Sequence, residues 1–275
     1  MVKVVGVVGS PRKDGLTARL VTKVMEGAAS EGAQAEIVHL AEIKINPCDD
    51  CRGKKCWGAG PCKYDGQDDA RALQEKIEGA NAFVLGAPVY FWDVNARTKN
   101  FMDRMRFKDV NGLHAIGISV AGGTGRGMCE ALRTIYNFFG CVGMRGLTPM
   151  PVCRFNFDAS MREAVKHGAA LAKSAAGRAP FASFAERLTW LRSLPHINQD
   201  VYDNMFFLAK LVADAVPRRE ETKEALQKVR AQLVKAAQMI ENDKKEDSAD
   251  EVMRAYTAAV EAWKLGQPKP PAPTT

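Results

Sequence analysis

The chain opens on V-K-V-V-G-V-V-G-S-P-R-K-D-G-L-T-A-R-L, residues Val2–Leu20. The first half of this stretch is a β-branched run that is too uniformly apolar for a half-exposed strand, so it predicts a strand buried on both faces. The run ends at Gly9-Ser10-Pro11-Arg12, because glycine and proline interrupt regular structure. Apolar residues at helical spacing from Leu16 onward then predict a helix that begins near Gly15 or Thr17.

A buried strand that leads through a polar loop into a helix is a place to bind an anion. The first N–H groups of a helix have no internal partner, and the helix dipole favours negative charge there. Ser10 and Thr17 add hydroxyl donors, and Arg12 adds a charged, bidentate donor. The motifs G-x-G-x-x-G and G-x-x-x-x-G-K-[ST] are absent from the stretch. The pattern therefore favours a phosphate monoester over a dinucleotide or nucleoside triphosphate, and the alternative is an ordinary strand-to-helix turn.

Composition limits the classes of function. The chain has 275 residues and a net charge of +7 that is spread along its length, so we expect no nucleic-acid partner. No apolar run reaches about 18 residues, which predicts no membrane-spanning helix, and the first strand begins without the features of a signal peptide. We therefore expect a cytoplasmic protein. Its seven cysteines are then expected to be ligands, redox groups or core residues rather than structural disulfides.

Strands and helices alternate over the first two thirds of the chain. Apolar runs predict four further strands, at Ala35–Leu40, Ala82–Gly86, His114–Ala121 and Val142–Val152. Helices are predicted over residues 15–32, 67–79, 96–107, 128–139 and 159–176. This alternation predicts an α/β fold with a five-stranded, doubly wound parallel sheet. A phosphate loop after the first strand fits the flavodoxin-like strand order 2-1-3-4-5.

Beyond residue 177 the sequence predicts helices only. They lie near residues 180–194, 199–215, 219–242 and 248–265, and Pro195 and Pro217 separate some of them. We therefore predict a flavodoxin-like domain over 1–177 and an all-helical extension over 178–266. The proline-rich residues 267–275 are predicted to form a disordered tail.

Two more loops are predicted at the carboxyl ends of strands, where open α/β sheets bind their ligands. The loop 87–95 contains three aromatic residues in a row, Tyr90-Phe91-Trp92, which offer a flat surface to a ring system. The alternative is that they pack under a neighbouring loop or in a subunit contact. The glycine-rich loop 122–127 lets backbone approach a ligand closely, and the alternative there is a plain mobile loop.

Taken together, three stretches resemble the NADPH-dependent FMN reductase family of flavodoxin-like proteins. They are G-S-P-R with Thr17, G-A-P-V-Y-F-W-D-V-N-A-R-T-K-N-F-M-D-R and A-G-G-T-G-R-G, and the resemblance covers roughly residues 1–175. It implies three sets of FMN-binding residues: Ser10, Arg12 and Thr17 at the phosphate; Pro88, Val89, Tyr90 and Phe91, with Trp92, at the ribityl chain and ring; and Gly122, Gly123 and Thr124 along the ring. It also implies a homodimer or homotetramer with the flavin near a subunit interface.

Four cysteines lie close together in the pattern C-x2-C-x4-C-x5-C, at Cys48, Cys51, Cys56 and Cys62. Four thiolates this close in a reducing compartment suit a tetrahedral zinc ion or an iron–sulfur cluster. The pattern resembles the iron–sulfur flavoproteins, in which C-x2-C-x2-C-x(4 to 7)-C holds a [4Fe–4S] cluster. The middle gap is four residues here instead of two. A cluster, a zinc ion and a metal-free thiol loop all stay open, and Cys129, Cys141 and Cys153 are predicted to be core residues.

The sequence predicts no catalytic side chain. His39 and His114 fall in predicted strands and are expected to be structural, and no Ser-His-Asp or paired-carboxylate arrangement is evident. This fits flavin chemistry, in which the cofactor transfers the electrons and the protein positions it. We predict an FMN-dependent oxidoreductase that uses NAD(P)H and a small-molecule acceptor or redox protein. The alternatives are a flavodoxin-like electron carrier without its own substrate, and a zinc-stapled interaction module without flavin.

Overall fold

The computed structural model describes residues 1–51, 56 and 60–267. The strands in this part of the chain are β1 Lys3–Val8, β2 Gln34–His39, β3 Ala82–Tyr90, β4 Asp93–Val94, β5 His114–Ala121, β6 Arg145–Gly146 and β7 Met150–Cys153. The helices are α1 Leu16–Ser30, α2 Ala70–Glu78, α3 Ala96–Arg104, α4 Met128–Val142, α5 Phe157–Ser174, α6 Phe184–Ser193, α7 Val201–Ala215, α8 Glu220–Glu241 and α9 Ala249–Leu265. The chain divides into two compact units, Met1–Asn198 and Gln199–Thr275.

The first unit is built on a parallel sheet in the order β2-β1-β3-β5-β6. β7 also pairs in parallel with β5, so β6 and β7 are two pieces of the predicted fifth strand. Pro149 lies between these pieces and lacks the N–H group that a continuous strand would use there. Counted as one strand, they give the predicted flavodoxin-like order 2-1-3-4-5. β4 is a short antiparallel addition to β3.

Helices cover both faces of this sheet, and β1 is buried on both sides as predicted. Val5 and Val7 belong to an apolar cluster that includes residues of α2, α3 and α4. Val4 and Val8 belong to a second cluster, which includes residues of α1 and α5. Side chains alternate between the two faces of a strand, so a continuous valine run serves two cores at once.

The predicted domain boundary at residue 177 falls inside the first unit, because α6 packs against the end of the sheet. Trp190 Nε1 donates a hydrogen bond to the carbonyl of Gly146 at 2.8 Å. Arg187 Nη1 donates to the carbonyl of Gly140 at 3.1 Å. These bonds tie α6 to the first unit, although the sequence predicted it as part of the extension.

The second unit, in its described part, is all-helical as predicted. Val216, Leu226 and Ala262 form a small core in it. Asp200 and Asp203 make a capping box at the start of α7, and Lys245 forms ion pairs with both carboxylates. The predicted tail lies outside the described residues from 268 onward. No helix in the described chain combines the length and apolar character that crossing a membrane requires.

Candidate functional site

The three predicted ligand loops meet at one edge of the sheet. Val8 lies opposite Gly86 in the β1–β3 register, and Pro88 lies opposite Val120 in the β3–β5 register. The carboxyl ends of these strands are therefore side by side. The third loop also lies beside the start of α1, because a Cβ atom placed on Gly122 would be 3.3 Å from Leu16 Cδ1.

The first loop presents the start of α1 to this edge. Ser10 and Thr17 are buried, Arg12 is exposed, and the Arg12 N–H donates to Ser10 Oγ at 3.1 Å. Gly15 is the N-cap residue, and within the described chain no side chain caps the first turn, which itself carries no acidic residue. An uncapped helix start without negative charge suits an anion. Ser10, Arg12 and Thr17 thus all lie in the turn that leads into α1 or in the first turn of that helix.

Asn95 ties the first loop to the second. Its Nδ2 donates to the carbonyl of Gly9 at 2.9 Å, and its Oδ1 accepts a hydrogen bond from Thr98 Oγ1 at 2.6 Å while capping α3. The contact is so close that a Cβ atom on Gly9 would lie 1.9 Å from Thr98 Oγ1. Sequence reasoning missed this role of Asn95. The signal available was an asparagine immediately before a helix, a preferred N-cap residue.

The predicted aromatic loop is in fact the tip of a hairpin. β3 runs to Tyr90, and β4 returns with Val94 opposite Val89 and Asp93 opposite Tyr90. The two turn residues, Phe91 and Trp92, have φ angles of 50° and 68°. Hairpin turns with two such angles normally use Asn-Gly, because bulky side chains are strained there.

The three rings stay in contact with solvent at this strained tip. Phe91 is 103% exposed, Tyr90 50% and Trp92 40%, so the alternative of aromatics packed under a neighbouring loop does not apply to Phe91. Backbone strain and exposed apolar rings are both features that occur at ligand-binding sites.

The glycine-rich loop packs against this hairpin. Gly127 has φ 82°, and a Cβ atom on it would lie 2.4 Å from Trp92 Cα, so only glycine fits that position. At Gly123, in contrast, an added Cβ would meet nothing within 4 Å. The Arg126 N–H donates to Thr124 Oγ1 at 3.3 Å. The loop is therefore closed against the hairpin at one end and open in its middle.

The cysteine segment forms a second candidate site. Cys48, Cys56 and Cys62 line a cavity of about 30 Å³, and Cys51 is exposed. The same cavity is lined by three arginines and two aspartates: Arg71, Arg104, Arg106, Asp65 and Asp103. Residues 52–55 and 57–59 of this segment lie outside the described chain. Among the described residues, no three His, Cys, Asp or Glu side chains are placed so as to hold a metal ion.

A buried ion pair lies beside these sulfurs. Arg104 Nη1 contacts Asp68 Oδ2 at 2.6 Å, with the two side chains 3% and 1% exposed. Arg104 Nη2 donates to Cys62 Sγ at 3.6 Å. Burial opposes ionisation of Asp68, but the hydrogen bonds from Arg104 and from the Asn46 and Ala70 N–H groups hold its pKa below the ordinary value of 3.8. Sequence reasoning missed this pair, which no local pattern indicates.

The remaining cysteines and histidines are outside both sites. Cys129 and Cys153 are buried as predicted, but the prediction for Cys141 is wrong, since it is exposed. It lies in the last turn of α4, on the solvent side. Burial raises the pKa of the Cys129 thiol to about 12, which makes it unreactive. His39 and His114 lie in β2 and β5 as predicted, and desolvation lowers the pKa of both.

Comparison with known proteins places this architecture in a family. A family model for NADPH-dependent FMN reductase matches residues 2–151. An iron-sulfur flavoprotein of Methanocaldococcus jannaschii is 36% identical over 145 residues, which are 50% of this chain and 71% of that relative. One from Archaeoglobus fulgidus is 36% identical over 103 residues, 38% of this chain and 45% of its own length.

Among solved structures, an NAD(P)H:quinone oxidoreductase from Methanothermobacter marburgensis has the same fold. Its TM-score is 0.50 at 17% identity, and the match covers 62% of this chain and 98% of that one. The family match ends at residue 151, so α5 to α9 lie beyond it. The chain belongs to the NADPH-dependent FMN reductase family, in its iron–sulfur flavoprotein subgroup.

Proposed function

We propose that this protein is an FMN-dependent oxidoreductase that takes electrons from NAD(P)H and passes them to a small-molecule acceptor or a redox protein. One observation carries the proposal. The three loops at the carboxyl edge of the sheet place an uncapped helix start beside a row of exposed aromatic rings. An anion site next to a flat apolar surface suits a molecule with a phosphate at one end and a ring system at the other.

The phosphate of FMN would be held by the first loop. The hydroxyls of Ser10 and Thr17 and the guanidinium of Arg12 add side-chain donors to the first N–H groups of α1. Asn95 keeps the loop in place through its hydrogen bond to the Gly9 carbonyl. The positive end of the helix dipole and the arginine charge then stabilise the dianion without any further cation.

The ring would lie between the aromatic hairpin and the glycine-rich loop. Tyr90, Phe91 and Trp92, with Pro88 and Val89 before them, form one wall and exclude water. Gly122, Gly123 and Thr124 form the other, where backbone N–H groups can donate to the ring without a Cβ atom between. Bound FMN supplies the hydride and electron transfer, and these residues bind and orient it.

The cysteine segment would hold a [4Fe–4S] cluster through Cys48, Cys51, Cys56 and Cys62. The donor atoms suit such a group in their chemistry, because thiolates are the ligands of iron–sulfur clusters, and three of the four cysteines line one cavity, beside three arginines and two aspartates. A bound cluster would supply one-electron transfer to and from the flavin. Zinc or free thiols are the outcomes that would replace this part of the proposal.

The test begins with anaerobically purified protein. We expect flavin absorption, FMN released on denaturation, about four iron and four sulfide ions per chain for a four-thiolate cluster, and oxidation of NAD(P)H with a quinone or free flavin. Flavin without iron would remove the cluster and leave the flavin reductase. A colourless protein that cannot be reconstituted with FMN would overturn the proposal.

Two substitutions in the first loop test the FMN site directly. Arg12→Ala should weaken FMN binding about 10-fold or more, because a charge-assisted contact to the phosphate is lost. Lys13→Ala is the matched control, since Lys13 is the next residue and forms an exposed ion pair with Glu42. Equal FMN affinities for the two variants would contradict the placement of the phosphate.

A second candidate is an electron carrier that docks a protein donor and has no small substrate of its own. The full exposure of Phe91 at the edge of the site favours a surface where a partner can approach the ring. Reduction of the bound flavin by a protein donor, with no reduction by NADH or NADPH, would establish this function instead.

A homodimer or homotetramer is compatible with either function, and size-exclusion chromatography with light scattering tests the oligomeric state.

A further inference from the structure

A cavity of about 410 Å³ lies at the start of α8, within the second unit. Its lining includes four cationic side chains, one carboxylate and one buried apolar side chain: Arg218, Arg219, Lys223, Arg230, Glu220 and Leu226. Pockets for small molecules commonly measure about 300–1,000 Å³, so the cavity has the size of a small-molecule site. The excess of positive charge around it favours an anion.

Three of these cations have no counter-ion in the part of the chain that the structure describes. The second unit contains four arginines. Arg254 forms an ion pair with Glu251 at 2.7 Å, whereas Arg218, Arg219 and Arg230 form none with any described carboxylate. The three arginines without an ion pair therefore share one cavity, where their charges repel one another unless an anion is bound.

Helical spacing brings two of the cations to one face of α8. Lys223 and Arg230 are about two turns apart, which separates them by about 10 Å along the helix axis. Lys223 pairs with Glu220 at 3.4 Å, so the carboxylate in the lining is already occupied. The first turn of α8 carries two carboxylates, Glu220 and Glu221, so the arginines, rather than the helix dipole, make this an anion site.

The segment that carries the other two arginines is held in place by Thr222. This residue is fully buried; its hydroxyl donates to the Pro217 carbonyl at 2.6 Å and accepts a hydrogen bond from the Arg219 N–H at 3.1 Å. On either side of the segment, Val216 and Leu226 belong to the small core of the unit. The backbone of the segment is therefore ordered before a ligand arrives, which lowers the entropy cost of binding.

We propose that this cavity binds a small molecule with two or more phosphate groups, such as a nucleoside diphosphate. A guanidinium fork matches phosphate oxygens with two parallel hydrogen bonds, and three forks can serve more than one phosphate. Leu226 supplies an apolar floor for the organic part of the ligand. A concave site of this volume suits a small anion better than a protein surface or a nucleic acid. The proposal is independent of the FMN site, because the cavity lies beyond the matched residues 2–151.

The test is calorimetric titration of the full chain with inorganic pyrophosphate and with ADP at low ionic strength, with FMN content measured before and after. We expect both probes to bind, and their affinity to fall as salt is added, because salt screens opposite charges. Inorganic phosphate should bind more weakly than pyrophosphate, since it engages fewer of the guanidinium groups.

Arg230→Gln should weaken pyrophosphate binding about 10-fold or more, because a charge-assisted contact is lost. Glutamine has a helix propensity similar to that of arginine, and Arg230 is exposed, so circular dichroism should show an unchanged fold. Arg254→Gln is the matched control, because Arg254 is also an exposed helical arginine of the second unit but does not line the cavity. It should keep wild-type affinity.

A second variant tests the segment before the helix. The double replacement Arg218→Gln with Arg219→Gln removes two guanidinium groups and leaves the backbone contacts of Thr222 in place. We expect this protein to have no measurable affinity for pyrophosphate, while its content of FMN stays that of the wild type.

The possible outcomes decide the proposal. No binding of either probe by the wild type would overturn it. Equal affinities in Arg230→Gln and Arg254→Gln would also overturn it, since the anion would then be bound elsewhere in the chain. Polyglutamate that binds as tightly as pyrophosphate and competes with it would replace the phosphate ligand with an acidic protein partner. Loss of affinity confined to the cavity variants, with FMN content unchanged, would support the proposal.

Discussion

The three loops at the carboxyl edge of the sheet and the residues that flank the cysteine segment lie at opposite ends of α3, and they are held in different ways. The three loops have glycines where another part of the chain packs closely, against the Thr98 hydroxyl at Gly9 and against the Trp92 backbone at Gly127. Asn46 and Asp68, which flank the cysteine segment, are held together by the buried charge of Arg104. The first site is therefore sensitive to added atoms, whereas the second is sensitive to removed charge. Substitutions of each kind can test this difference.

The largest effect is expected when the buried pair is broken. Asp68→Ala should lower the free energy of unfolding of the first unit by about 3–5 kcal/mol, because it leaves the Arg104 charge buried and unpaired. Urea unfolding followed by near-UV circular dichroism measures it. Glu163→Ala is the control, since it breaks the exposed pair with Lys166 and should leave the free energy of unfolding nearly unchanged. Similar losses in the two variants would show that burial gives the pair no special role.

The same pair gives stability a dependence on acid. The pKa of Asp68 is below its ordinary value of 3.8 in the folded protein. Its contribution is therefore complete above that ordinary value and is lost as the pH falls toward the lower folded value. Asp68→Asn should flatten the stability profile on the acid side of that ordinary value. If Asp68→Asn loses stability with falling pH as the wild type does, other carboxylates cause that loss.

An added methyl group in the glycine-rich loop should have the next largest effect. Gly127→Ala places a Cβ atom 2.4 Å from Trp92 Cα at a φ of 82°, and the clash and the strain together should cost about 2–4 kcal/mol. Gly123→Ala is the matched control, because nothing lies within 4 Å of its new Cβ, and it should change stability by no more than about 0.5 kcal/mol. A clear loss for Gly123→Ala would contradict the open middle of the loop.

Asn95, which joins the first and second loops, allows effects on stability to be separated from effects on the proposed FMN binding. Asn95→Ala removes the N-cap of α3, which should cost about 1–2 kcal/mol. Asn95→Asp keeps the cap oxygen but loses the donor to the Gly9 carbonyl. We expect it to stay closer to wild-type stability while binding FMN more weakly, as measured by fluorescence titration. Equal FMN affinity in wild type and Asn95→Asp would remove Asn95 from the site.

The smallest change in stability is expected at the aromatic turn, where the substitution should stabilise the protein instead of destabilising it. Replacing both turn residues, Phe91→Asn and Trp92→Gly, installs the preferred residues for two positive φ angles and should raise stability by about 1 kcal/mol. FMN affinity should fall in the same protein, because two of the three rings in the aromatic wall of the proposed site are lost. A variant that is both less stable and unchanged in FMN binding would show that the rings serve the fold alone.

The sequence alone determined the sheet, its strand order and the position of the three loops. Strand and helix periods are local properties, and in an open α/β sheet the ligand edge follows from strand order. For this reason, the valine run predicted the buried strand β1, and the polar loop after it predicted the start of α1. The same local logic misjudged α6, because its packing partners are backbone groups of α4 and β6 that leave no periodic signal.

The contacts that hold the two sites join residues far apart in the sequence. Asn95 and Gly9 are 86 residues apart, and Arg104 and Asp68 are 36 apart, so neither pairing follows from spacing. The turn at Phe91 and Trp92 was hidden for a different reason. These residues disfavour the left-handed conformation on their own, and it is the pairing of β3 with β4 and the close packing of Gly127 that impose it. Local preferences determine where helices and strands form, whereas long-range contacts determine which side chains meet at the two sites.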